Sequence, residues 1–373
     1  MGFCSIRTQI SIAIGALLLW WNLPILKVRQ KTLVPVSTSQ VLAQNYIDQE
    51  FSTPIYKPNP PPPGNKPLPQ ERLRRENQPL PRDFRVSALQ PDYTGDLWVG
   101  SWLGLARINP NTGRLLTRIG LPNYTVGALA QDRVGRIWVG TYEGLLRIDP
   151  RTNEITAQNF TIPSKRVLSL LIDRRGFLWV GSDRGLSMIS PDQGLLMTTL
   201  QELPGVSANT LALDNEGQLW VGTLEGLVQV DTASAFIIGR MKNSSVTTVQ
   251  TLTFDSQGLL WAGTPNSLLV IDPQTRQVLR SVTPMRGRNV TSVRFAQDAN
   301  VWVGTDDGLF KLKADSGAVL AQIPNLPSSS ILALSPDTGN KLWVGTTEGL
   351  AWVSQTSGRV RPHLAFVREA PDF

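Results

Sequence analysis

The chain holds few residues suited to acid–base or metal chemistry. It has one histidine, His363, and one cysteine, Cys4, in 373 residues. A Ser-His-Asp triad, a histidine-ligated metal and a histidine general base would all have to use His363, which falls in the last predicted strand. Carboxylates do recur in register, at Glu143, Glu225 and Glu348, each just before a turn glycine, with Asp183 and the pair Asp306-Asp307 nearby. Turn tips face water, so polar residues there follow from solvation alone. The alternative is a general acid/base role for Glu143 or Asp183, which would make the protein a lyase or hydrolase acting on polymers. The sequence predicts no catalytic residue, no metal site and no cofactor.

A second group of residues suits recognition. Trp102, Tyr124, Tyr142 and Glu143 fall close together in the chain's order of turns, followed by Lys165, Arg166, Asp183 and Arg184, with Arg286 and Arg288 on the same predicted face. Large rings with polar neighbours offer flat apolar area and hydrogen-bonding rims, the composition of a surface that stacks on sugars or grips an extended peptide. Trp102 stands where five other units have Asp, Leu, Pro or Thr, so it departs from the pattern where structure does not require it. The first eight of these residues form the candidate site. The expected partner is a glycan or peptide polymer, or an envelope protein.

These residues are positioned by a repeat. A phrase close to aliphatic-Trp-Val-Gly-Ser/Thr occurs seven times, with tryptophans at 98, 138, 179, 220, 261, 302 and 343. A period of about 40 residues built from four short strands predicts a β-propeller. The second unit reads as Val126 to Ala130, Arg136 to Thr141, Gly144 to Asp149 and Glu154 to Phe160. An Asp-x-x-Gly turn joins the first two strands in five units, starting at Asp92, Asp132, Asp173, Asp214 and Asp255. The next turn ends on glycine, except in the fifth unit, which has Pro265-Asn266-Ser267. Every first strand has a small residue at one register (Ala88, Ala128, Ser169, Thr210, Thr251, Ser292, Ala333), as a crowded axis requires. The repeated Trp is expected to fill the wedge between blades. The predicted fold is therefore all-β, with seven four-stranded antiparallel blades over residues 83–373. No strand is shared between blades one and seven, apolar contacts close the ring, and the propeller is monomeric.

The phrases Leu97-Trp98-Val99-Gly100-Ser101 and Ile137-Trp138-Val139-Gly140-Thr141, with Gly-Leu after them and Asp-x-x-Gly before, resemble the two-component-regulator propeller repeat. In that family such propellers commonly form the exported sensing half of hybrid histidine kinases, which implies ligand or partner recognition on the ring. No kinase core follows Phe373 in the sequence, so the expectation is a propeller without signalling activity of its own. Quinone-binding propeller repeats share the Gly-Thr flavour, but there Trp follows Thr-Gly, whereas here it precedes Val-Gly.

The first 82 residues differ in composition from the rest. Ile10 to Leu26 is an apolar run interrupted only by Ser11, Asn22 and Pro24, at the short limit for a membrane span and long for a signal-peptide core. Residues 1–43 are expected to be a signal peptide, cleaved after Val41-Leu42-Ala43, or an uncleaved anchor that holds the membrane through residues 10–26. Three cations after the run against one plus the amino terminus before it would, on the positive-inside rule alone, keep the ring in the cytoplasm; that difference is too small to outweigh export. Residues 44–82 read as a linker, with ten prolines between Pro54 and Arg82 and a reach of about 3.1 Å per residue. Much of the net charge of +7 belongs to this region, since residues 83–373 carry 26 Lys/Arg against 25 Asp/Glu. The ring is nearly neutral, which argues against nucleic acid as a partner. The predicted location is exported: periplasmic, otherwise extracytoplasmic, or membrane-anchored. The function predicted is a binding or sensor-like module, with an envelope scaffold as the alternative.

Overall fold

The computed structural model describes residues 83–122, 124–158, 160–241 and 246–366; the leader and the proline-rich linker lie outside them. It contains seven four-stranded antiparallel sheets, each with its strands in chain order. The blades span 86–120, 126–157, 167–200, 210–241, 251–281, 290–323 and 331–362. Unit and blade coincide. The outer strand of the last blade is Val360–Pro362, followed by a short 3-10 turn at Leu364–Phe366. His363 therefore lies one residue beyond the last strand, not within it.

Close approach at the axis explains two of the repeated small residues. Ala88 pairs with Gly100, Ala128 with Gly140 and Ser169 with Gly181 across the two innermost strands. A Cβ on Gly100 would come within 2.5 Å of Val126 Cγ1, and one on Gly140 within 2.5 Å of Val167 Cγ1. The glycine of Trp-Val-Gly is thus a packing residue that lets the next blade dock. Side chains also cross this gap: Ser87 donates to Val126 O, Asn209 Nδ2 to Val249 O at 3.2 Å, and Thr291 Oγ1 to Ile331 O at 2.6 Å.

The seven repeated tryptophans are buried, and Trp302 is the most exposed at 4%. Each faces the following blade. Trp98 packs with Val126, Ile137 and Val139, and Trp261 with Val290, Val301 and Val303. Burying a ring of this size contributes at most about 4 to 6 kcal/mol. An indole also brings an N–H that needs an acceptor when buried. In blades one to five that acceptor is the turn aspartate, at 2.9 Å from Asp92 and Asp132, 3.1 Å from Asp173 and Asp214, and 3.0 Å from Asp255. The other carboxylate oxygen closes the turn. Asp214 Oδ1 accepts from Glu216 N–H at 3.0 Å and Gln218 N–H at 2.8 Å.

Blade six departs from this scheme. Ala296 replaces the aspartate, and the buried Trp302 Nε1 has no partner among the described residues. Lys311 lies over the Trp302 ring at 5.2 Å and ion-pairs with Asp298. In blade seven the aspartate is present at Asp337 but turns away, accepting Gln297 N–H of blade six at 2.8 Å, and Trp343 donates to Thr338 O instead.

Closure combines apolar and polar contacts. Val86, Val99 and Ile108 pack with Trp343, Leu350 and Phe366. Lys341 Nζ donates to Pro110 O at 2.8 Å and Asn111 O at 2.7 Å, and Arg118 donates to Ala365 O at 3.1 Å. His363 Nε2 lies 2.7 Å from Gly113 O, while its Nδ1 is buried without a partner among the described residues. A carbonyl oxygen only accepts, so Nε2 carries a proton. Burial lowers the His363 pKa.

Two expectations follow. Replacing Asp214 by Ala leaves three donors without their acceptor and should cost about 2 to 4 kcal/mol, with Asp214→Asn losing less; urea denaturation measures both. Between the depressed folded pKa of His363 and the unfolded value near 6.5, the unfolded chain binds more protons than the folded one. Stability therefore rises with pH across that interval and levels off above it. As His363 is the only imidazole, a Tm series from about pH 5 to pH 8 should show this slope, and His363→Gln should flatten it.

Candidate functional site

The hairpins between the second and third strands and the chain entering each inner strand share one face, tied by backbone hydrogen bonds. Trp102 N–H donates to Arg85 O at 3.4 Å, and Tyr142 N–H to Thr125 O at 3.0 Å. In consequence Trp102 and Tyr142 occupy the same position in adjacent blades. Both are 42% exposed, as is Leu103. Neither ring belongs to the blade cores.

Tyr142 is the best-defined of the two. A Cβ on Gly127 would lie 3.2 Å from Tyr142 Cε1 and 3.0 Å from Val167 O. The phenol thus lies over the inner strand of its own blade at a point where any side chain would crowd it. The Arg166 guanidinium sits 4.8 Å from the ring centroid, within cation–π range. Arg85, whose carbonyl takes the Trp102 N–H, is tied to Asp83: its Nε donates to Asp83 at 2.6 Å, and that hydrogen bond raises its pKa.

The remaining candidates divide. Tyr124 is half-buried, packed on the cluster of Ala88, Trp98, Leu105 and Leu121, so only part of its ring is open to a ligand. Glu143 is committed to structure: its Oε2 accepts Thr125 N–H at 2.9 Å, fixing the linker into blade two. Lys165, Asp183 and Arg184 are exposed, and Arg184 N–H is held by Ser182 Oγ at 3.2 Å. Across the ring, Arg288 pairs with Asp307 and lies 4.7 Å from the Phe310 ring centroid. Among the described residues no group of three or more His, Cys, Asp or Glu could hold a metal ion.

Arg85 and Gly127 were not among the residues singled out by sequence. Gly127 could have been found, because the position carries Ser87, Leu168, Asn209, Gln250, Thr291 and Leu332 in the other blades. Arg85 lies just before the first inner strand, and its neighbours emerge only once the blades are placed.

The fold is an all-β ring with aromatic and cationic side chains on one face. The model of the two component regulator propeller family matches residues 120–143, 161–184 and 202–225, three of the repeated stretches. In fold it is similar to the extracellular domain of the hybrid two component system BT3049 from B. thetaiotaomicron, with a TM-score of 0.62 and 18% identity over 74% of this chain. The match takes in 41% of that protein. It is also similar to the virginiamycin B lyase of Staphylococcus aureus, with a TM-score of 0.53 and 15% identity, over 63% of this chain and 83% of the lyase. Sequence comparison with curated proteins gives no match. At these identities the structural likenesses establish the fold.

The site and the core should respond differently to truncation. Trp102→Ala should change stability by no more than about 0.5 kcal/mol, as at ordinary surface positions. Trp220→Ala should cost about 3 to 5 kcal/mol. Thermal denaturation of the two variants side by side checks the contrast.

Proposed function

We propose that the protein is an exported or membrane-tethered recognition module that binds a hydroxyl-rich or anionic polymer segment, glycan or peptide, on the hairpin face of blades one to three. The observation that carries this reading is the Arg166–Tyr142 stack, with the exposed Trp102 at the equivalent position of the adjacent blade. Stacked rings offer a planar surface to sugars or extended peptides, and Arg166, Lys165 and Arg184 give that surface a positive border. The match of three repeats to the two component regulator propeller family and the fold likeness to an extracellular domain support it. So does the apolar leader followed by a proline-rich stretch.

The lyase fold neighbour raises the alternative of turnover. Against it, Glu143 is occupied by a backbone amide, which leaves it poorly placed as an acid or base. A scaffold without a ligand is the other alternative. Glycan and peptide arrays probed with the full chain separate the three. Saturable binding that falls about tenfold or more in Trp102→Ala and Arg166→Ala supports recognition, product release from a bound polymer indicates a lyase or hydrolase, and no binding on any array leaves the scaffold. Fractionation of the source cells should find the ring outside the cytoplasmic membrane; the intact chain free in the cytoplasm would refute export.

A further inference from the structure

Six of the seven blades place a long side chain opposite the wedge tryptophan, on the third strand: Arg107, Arg147, Met188, Gln229, Lys311 and Trp352. Blade five has Val270 there. In blade one this side chain spans from the first turn of its own blade to the third turn of the next. Arg107 lies 5.5 Å from the Trp98 ring centroid, donates to Pro150 O of blade two at 3.0 Å and pairs with Asp96 at 2.8 Å. Arg147 repeats the reach, to Pro191 O of blade three at 3.0 Å. Val270 is too short to do the same. In the corresponding place, between residues 255–259 of blade five and 313–315 of blade six, there is a cavity of about 680 Å³.

One of the two cations lining this cavity lacks a counter-ion. Arg280 comes in from the outer strand of blade five, half-buried, 5.4 Å from the Trp261 ring centroid, and its Nη2 donates to Ala314 O at 2.5 Å. It takes over the ring and the carbonyl that Arg107 serves in blade one. The carboxylate is missing, because Leu259 stands at the position of Asp96, and Arg280 forms no ion pair among the described residues. Arginine presents five N–H donors, so most of the fork is unspent. The carboxylates around the cavity are committed: Asp255 accepts the amides of Gln257 and Leu259 and the Trp261 indole, Asp298 pairs with Lys311, and Asp315 with Lys313. The wall is apolar at Leu259, Phe295, Ala296 and Ala314. The Phe295 ring is half-buried and stands edge to face with Trp261 at 5.4 Å.

We propose that this interblade cavity binds a small organic acid, with its carboxylate on the Arg280 fork and an apolar body of ring size against Leu259 and Phe295. A carboxylate matches the planar guanidinium bidentately, and the ligand supplies to Arg280 what Asp96 supplies to Arg107. The volume is that of small-molecule sites, which combine apolar walls with a few placed polar groups. Such a ligand touches both blades, Arg280 and Leu259 on one side and Phe295 on the other. The turns that form the cavity lie at the opposite ends of the strands from the hairpin face, so this site does not rest on the function proposed above.

The test titrates the full chain, at constant ionic strength, with benzoate, phenylacetate and indole-3-acetate, followed by calorimetry and thermal shift. At least one of the three should bind saturably. Phenylacetamide, which keeps the ring without the charge, and acetate, which keeps the charge without the ring, should each bind at least about tenfold more weakly. Arg280→Gln should weaken binding of the acid at least about tenfold, the loss expected for charge-assisted hydrogen bonds, and Arg280→Lys should retain part of it. Arg114→Gln, the same charge change on the exposed outer strand of blade one, should leave it unchanged. Near-UV circular dichroism checks that each variant is folded. Because Arg280 also ties two blades together, Gln257→Glu provides a second variant: it adds a carboxylate at an exposed position on the rim and should weaken binding about threefold or more by repulsion. Saturable binding of none of the three acids overturns the proposal, as does phenylacetamide or acetate binding as tightly as the acids. Equal affinity in wild type and folded Arg280→Gln also overturns it, and where that variant does not fold, equal affinity in Gln257→Glu does so.

Discussion

Five carboxylates hold five buried indoles, and the ring is organised around that bond. One oxygen of each aspartate closes the turn between the first two strands, while the other accepts the N–H of the wedge tryptophan six residues later. Burial of the largest side chain and formation of the tightest turn thereby become one event in each blade. The arrangement resolves a conflict, because the tryptophan that fills the wedge also brings a polar atom into it. Blade six shows what happens when the acceptor is lost. The wedge remains filled, Lys311 covers the ring, and Asp337 of the next blade caps the altered turn. Neighbouring blades take over part of the work, so a defect in one unit is shared.

The architecture was legible because periodic chains state their structure repeatedly. Seven in-phase copies place every Trp, turn glycine and inner small residue, and the observed blades differ from the reading mainly at strand ends, as where Glu154–Ala157 stops short of Phe160. The aspartate was read only as turn chemistry. Its grip on the indole depends on how a carboxylate rotates after the strands pair, which no spacing rule contains. Closure was read as apolar, but Lys341, Arg118 and His363 add polar stitches to chain positions some 230 to 250 residues away. Contacts that distant in sequence leave no local mark.

The candidate site residues stand where the repeat is broken. Trp102 and Tyr142 depart from the pattern at one register, and so does Gly127 at another. The stack of Arg166 on Tyr142 joins residues 24 positions apart in adjacent blades, and only the docking angle of those blades brings them together.

Because each blade is a single uninterrupted stretch of chain, the ring has no composite member that both ends must assemble. An in-frame duplication or loss of about 40 residues would add or remove a whole, internally hydrogen-bonded blade and leave every other sheet intact. A propeller whose first or last blade is completed by a borrowed strand lacks that freedom, since its ends are committed to each other. The genetic unit and the mechanical unit are here the same object, which makes blade number the property of this fold most open to evolutionary change.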